Sequence, residues 1–212
     1  NVFVNYSGVN KMEKNLPIVL SDSEINRMLD AVDKSTFHGY RNALEIEILY
    51  SCGLRISELL NLKTSDIYWT HEYIKVLGKG NKERLVPIGE SALRHLRSFV
   101  DNHLSKLSIY RKCTGLIFLN HYGRQLTRQH VFQMIKDLAK EVGINKNIHP
   151  HTLRHSFATE LIRGGANLVV VKDMMGHQSI LSTEIYTHVD INHLRETIML
   201  YHPLYNKKAW QE

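Results

Sequence analysis

Four side chains in the last third of the chain have types and spacing suited to chemistry on a phosphodiester: His151, Arg154, His177 and Tyr186. They sit in His-Thr-Leu-Arg-His-Ser-Phe-Ala-Thr-Glu, starting at His151, and in Gly-His-Gln-Ser-Ile-Leu-Ser-Thr-Glu-Ile-Tyr-Thr-His, starting at Gly176. A guanidinium offers a planar fork of donors that matches two phosphate oxygens. Imidazoles donate hydrogen bonds and move protons near neutral pH, and a tyrosine hydroxyl serves as a nucleophile. Taken singly, each has a plainer reading: a tyrosine is commonly a packed amphipathic side chain. His151 and His155 stand i, i+4 and raise a zinc reading, but no glutamate follows His151 directly and no nearby carboxylate or thiol completes such a site.

Two upstream stretches carry further candidates. Gly53-Leu-Arg-Ile-Ser-Glu places Arg55 in a turn before a short helix, with Glu58 three residues on, which could orient a neighbouring polar group, although a plain helix-surface carboxylate is the simpler reading. Gly78-Lys-Gly-Asn-Lys holds Lys79 and Lys82 at a glycine-bearing turn, from which a lysine can reach outward to phosphate. Charged hairpin tips are also ordinary solubility features.

The elements that must position these groups follow from capping and periodicity. Ser21-Asp-Ser-Glu24 is a capping box, and Ile25, Met28, Leu29 and Val32 give a helix to about Lys34. A second helix is expected over about His38–Ser51, ended by Gly53. Between Ser65 and Ile88 three short β-branched and aromatic runs predict an antiparallel meander. Leu93, Leu96, Val100, Leu104 and Leu107 predict a long helix from Ser91 to about Leu107. Leu116-Ile-Phe-Leu is ambiguous, and Thr127 caps a helix to about Val142. Pro150 starts a helix to about Arg163, which puts His151 and Arg154 near its first turn, where free N–H groups favour an anion. Asn167 caps a piece to Met175, and a last pair of short helices is expected over about 180–188 and 191–200, with Tyr205 and Trp210 in a polar tail. The fold class expected is mainly α with one small three-stranded antiparallel sheet (α+β).

With 212 residues, 43% of them hydrophobic, the chain can build one sizeable core. Lys and Arg number 27 against 21 for Asp and Glu, a net charge of +6 that favours a polyanionic partner. Cys52 and Cys113 lie far apart, so neither a disulfide framework nor a cysteine zinc site is suggested. No secretory pattern or membrane-spanning apolar run of ~20 residues is present, and a cytoplasmic setting is expected. The chain starts at Asn1 rather than Met, as a fragment or processed chain would.

In combination and in order, Gly-Leu-Arg55-Ile-Ser-Glu, Gly78-Lys79-Gly-Asn-Lys-Glu-Arg-Leu-Val-Pro, His151-Thr-Leu-Arg154-His, Gly176-His177 and Tyr186 closely resemble the catalytic domain of the tyrosine recombinases. These are the phage-integrase-type site-specific recombinases, and the likeness is greatest to their bacterial Xer group. It covers about Leu16–Pro203. The resemblance implies the fold of that domain over residues 21–203, an arm or interdomain linker over 1–20, a tail over 204–212, and a core-binding domain lying outside this chain. It implies that Arg55 and Arg154 clamp the scissile phosphate and that Lys79 protonates the leaving 5′-oxygen, Lys82 being the alternative in the same loop. His151 and His177 would bond the phosphoryl group and handle the tyrosine proton, and Tyr186 would form a 3′-phosphotyrosyl link. No metal, ATP or other cofactor is implied, and no phosphate-binding GxxxxGK[S/T] loop is present. Double-stranded DNA is the implied partner, bound by a homo- or hetero-tetramer on paired sites joined through the C-terminal segment, for chromosome dimer resolution or mobile-element integration. The readings that compete are a type IB topoisomerase-like relaxation enzyme and a non-catalytic DNA-binding regulator.

Overall fold

Ser21 begins the first helix as its sequence predicts: its hydroxyl accepts from the Glu24 N–H at 3.3 Å while the Ser21 N–H donates to the Glu24 carboxylate at 2.8 Å. This is a computed structural model, describing residues 18–78, 83–176 and 188–206. Helix α1 (Asp22–Ala31) ends before Val32 turns extended, three residues short of the expected end. Thr36 then caps α2 (Phe37–Ser51), accepting from the Gly39 N–H at 3.0 Å.

Helix α2 is the axis of the fold. Leu44, Ile46, Ile48, Leu49 and Tyr50 are all fully buried, so the helix is enclosed on every side and not merely amphipathic. Its buried charges are paired within the core. Arg41 lies 3.1 Å from Glu45, and Glu47 lies 2.9 Å from the His95 imidazole. Each large apolar side chain removed from water here contributes about 1.5–3 kcal/mol before entropy is subtracted.

After α2 the chain reverses at Gly53 and enters α3 (Ile56–Leu60). The meander follows: β1 (Ile67–Tyr68), β2 (Tyr73–Leu77) and β3 (Glu83–Pro87) pair antiparallel in that order, with Ile67 opposite Ile74 and Ile74 opposite Val86. Helix α4 (Glu90–Asn102) is shorter than expected. His103 caps the helix, and a 3₁₀ turn over Leu104–Lys106 buries Leu104 without prolonging it. The ambiguous stretch at 116–119 is neither helix nor strand. Its residues are buried and tied by isolated bridges from Leu116 to Lys63 and from Leu119 to Gln125.

Thr127 caps α5 (Arg128–Glu141), and α6 (Pro150–Gly164) and α7 (Leu168–Met174) follow as predicted. The C-terminal part differs from expectation. Helix α8 (His188–Tyr201) runs without a break through 191, because Leu194 and Ile198 bury against Phe157 and Leu161 of α6. Pro203 starts a further turn, α9 (Pro203–Asn206), instead of closing the chain's helices. Tyr205 is not a solvated tail residue: its ring packs on Gly89 and its hydroxyl donates to the Pro87 carbonyl at 3.4 Å.

The architecture is thus mainly α with one small antiparallel sheet, as the sequence implied. Both cysteines are free and buried. Among the described residues, no helix is long and apolar enough to cross a membrane.

Candidate active site

Arg55 occupies the N-cap of α3. Its N–H donates to Glu58 at 2.8 Å, its Nη1 donates to the same carboxylate at 2.8 Å, and its Nη2 donates to the Gly176 carbonyl at 3.1 Å. With its side chain 31% exposed, the guanidinium keeps an open side.

Arg154 comes from the second turn of α6, whose start is fixed by Pro150. It is 5% exposed and donates to the carbonyls of Gly53 and Met175. Gly53 has φ +59 and lies so close to Phe157 that an added Cβ would stand 2.4 Å from the ring. The tight reversal after α2 therefore needs glycine, and it is this reversal that brings the Gly53 carbonyl to Arg154.

Burial and the neighbouring Arg55 charge pull the Arg154 pKa down to about 10, which Glu58 partly opposes. The group stays cationic at neutral pH. His151, one turn earlier, is exposed on the same helix start. Its ring meets His149 edge-on at 6.1 Å, and His149 in turn stacks near Phe132. Lost hydration first, and then the neighbouring His149, Arg154 and Arg55, hold its pKa below the ordinary value. The imidazole is consequently neutral at pH 7 and free to accept a proton.

Two residues join the site beyond the six candidates, Glu58 and Arg84. Glu58 is no surface carboxylate. Its side chain is 2% exposed and lies between two guanidinia. The second belongs to Arg84 of β3, which donates from Nη1 and Nη2 to the two Glu58 oxygens, each at 2.8 Å, and from Nε to the Met174 carbonyl at 3.0 Å. Burial raises the Glu58 pKa, but the Arg84 and Arg55 bonds outweigh it and bring it to about 2. Signals for both were present. A glutamate at the third helical position commonly closes on its N-cap backbone. Arg84 shares the inward face of β3 with Val86 two residues on.

The structure thus brings together Arg55, Arg154 and His151 of the six sequence candidates. Lys79, His177 and Tyr186, with Lys82, lie outside the described residues. The three guanidinia and one carboxylate leave a surplus of two positive charges. Among the described residues, no group of three or more His, Cys, Asp or Glu is placed to hold a metal ion.

The profile of the phage integrase family matches residues 19–193. The tyrosine recombinase XerD of Staphylococcus haemolyticus is 40% identical over 193 residues, 91% of this chain and 65% of that protein. This chain therefore spans somewhat under two thirds of the length of that curated relative. Among solved structures, XerA recombinase superposes with TM-score 0.68 at 31% identity, covering 89% of this chain and 66% of its own. XerH, bound to its difH substrate in a pre-cleavage complex, gives TM-score 0.67 at 29% identity, covering 84% of this chain and 52% of its own. The ordered motifs, the helical fold around one meander and these matches agree: the chain belongs to the phage integrase family.

Proposed function

We propose that this chain is the catalytic part of a site-specific DNA recombinase of Xer type, one that cuts and rejoins strands through a 3′-phosphotyrosyl intermediate. The observation that carries the reading is that Arg55 and Arg154 bond adjacent carbonyls, Gly176 and Met175, with their charges acting on His151. A phosphodiester carries a single negative charge, and the five-coordinate state formed on attack carries two. Two surplus positive charges in a partly dry pocket favour the second over the first, which is what lowers a barrier.

In this reading Arg55 and Arg154 hold the non-bridging oxygens, and neutral His151 takes part in moving the tyrosine proton. Tyr186 attacks, His177 bonds the phosphoryl group and Lys79 protonates the leaving oxygen, assignments that rest on the sequence motif. Double-stranded DNA is the substrate in this reading, in keeping with the site-specific recombinase XerH bound to its difH substrate. The protein would work as a homo- or hetero-tetramer on paired sites, through the segment from Ile191 to Trp210. Met199 and Leu200, 48% and 66% exposed on α8, are available to such a contact.

The test uses the full-length protein and total DNA of its source cell. Covalently captured fragments define a target, which is rebuilt as a nicked duplex that traps the cleaved state. Wild-type protein should give an adduct, and Tyr186→Phe should give none while still shifting the duplex on a gel. An adduct that survives Tyr186→Phe, or none from wild type, refutes the reading. A 5′-bridging phosphorothiolate, whose leaving group needs no acid, should rescue Lys79→Ala. Rescue of Lys82→Ala instead would move the acid to Lys82.

A further inference from the structure

Three consecutive carbonyls at the end of α7 each receive a different arginine. Met174 accepts from Arg84, Met175 from Arg154 and Gly176 from Arg55. Carbonyls at a helix C-terminus have no partner within the helix and form its negative end, so cations are the natural complement. Of the three, Arg55 is the one with an open side, its side chain 31% exposed, while Arg154 and Arg84 are 5% and 6% exposed. Arg84 is also closed on Glu58 through its fork, and Gly176 lies against it. A Cβ on Gly176, which has φ +61, would stand 3.3 Å from the Arg84 Cδ, Nε and Cζ atoms.

A buried ion pair is a poor way to stabilise a fold. Apolar residues of similar volume commonly do as well or better. What the Arg84 fork supplies instead is geometry. It fixes both oxygens of Glu58, and one of those oxygens also takes Arg55 Nη1. It fixes the Met174 carbonyl too, one residue before the carbonyl that holds Arg154.

We propose that Arg84 is a positioning residue for strand cleavage: through Glu58 and the α7 carbonyls it sets the spacing of the Arg55 and Arg154 guanidinia. The proposal rests on the recombinase reading above. Lysine keeps the charge of Arg84 but carries its donors on one nitrogen and cannot reproduce the planar fork of three separate nitrogens, so Arg84→Lys separates charge from fork. Misplacing a reacting group by about 1 Å costs on the order of 100-fold in rate.

The experiment measures single-turnover adduct formation by the full-length protein on the nicked duplex, with duplex affinity and melting temperature of the same samples. Arg84→Lys should cleave about 10–100-fold more slowly with its affinity for the duplex changed less than about threefold. Arg84→Met/Glu58→Gln, which leaves no unpaired carboxylate in the core, carries the test if the single variant melts early. It should fold, bind and cleave slowly, and its loss should fall well short of the product of the two single losses. Wild-type cleavage by Arg84→Lys overturns the proposal. So does a parallel fall in rate and affinity, which marks a purely structural role, and so do multiplicative losses. If wild-type protein itself forms no adduct, the recombinase reading fails, and the wild-type control separates that result from the others.

Discussion

Glu58→Gln is the sharpest test of how the pocket is held. The native carboxylate accepts from the Arg55 backbone and from both guanidinia. Its carboxyl sits at about 2 against an ordinary 4.5. At about 1.4 kcal/mol per pH unit this corresponds to about 3 kcal/mol of stability at neutral pH. The sign follows from the direction. A depressed carboxyl contributes fully above 4.5 and loses its contribution as pH falls toward 2. Glutamine keeps one acceptor, turns an NH₂ toward a guanidinium and strands the buried Arg84 charge, so the loss should be about 2–4 kcal/mol. For a chain of this size that lowers Tm by about 6–12 °C at pH 7. The difference between wild type and variant, read by thermal melts, should shrink to about 1 kcal/mol near pH 3, where the wild-type carboxyl has lost most of its advantage. Other carboxylates titrate in both proteins and cancel. A gap that stays constant from pH 7 to 3, or a Tm change under about 2 °C, would falsify the bonded picture of Glu58.

Gly53→Ala should destabilise by about 2–4 kcal/mol, from a left-handed residue gaining a Cβ and from overpacking against Phe157, and should also slow cleavage by displacing the carbonyl that holds Arg154. Denaturant melts check the first and adduct kinetics the second, and a neutral result in both would remove the reversal from the account. His202 is fully buried among Tyr50, Phe157 and Tyr205, and burial lowers its pKa to about 3. The unfolded chain takes the proton below 6.5 and the folded chain refuses it. Stability is therefore full above 6.5 and declines below it, at up to about 1.4 kcal/mol per pH unit. His202→Phe should flatten the melting-temperature profile between pH 6.5 and 5, and an unchanged slope would place the imidazole in contact with water.

How much of this was legible in the sequence depended on the range of the interaction. The Ser21 cap, the Thr127 cap, the Pro150 helix start and the meander are local, set by residues within a few positions of one another, and each was readable. Leu104 and Leu107 continued the apolar spacing of α4, yet the 3₁₀ turn buries Leu104 without a helix. Periodicity reports which side chains go inward, not which backbone takes them there. The break expected near 191 failed for the converse reason. Burial of Leu194 and Ile198 on α6 keeps the helix whole. Glu58 and Arg84 stand 26 positions apart, so nothing within a few residues of either names its partner. Only their pairing across α3 and β3 makes burial affordable.

That pairing bears on why the pocket is built from arginines that hold backbone. Arg55, Arg84 and Arg154 come from three separate elements, and each bonds a carbonyl of the same α7 terminus. A guanidinium bound only by a carboxylate could swing with it. One bound also to main-chain carbonyls has its plane set by the fold, and the bonds to neutral acceptors leave its charge uncancelled. Glu58 neutralises one charge of the three and the carbonyls neutralise none. The carbonyls orient the forks and the surplus charge remains for an anion, so orientation and electrostatic attraction are supplied by different partners. Weakening the carbonyls' hold should therefore degrade rate before affinity, whereas removing a guanidinium on the open side, as in Arg55→Ala, should degrade both.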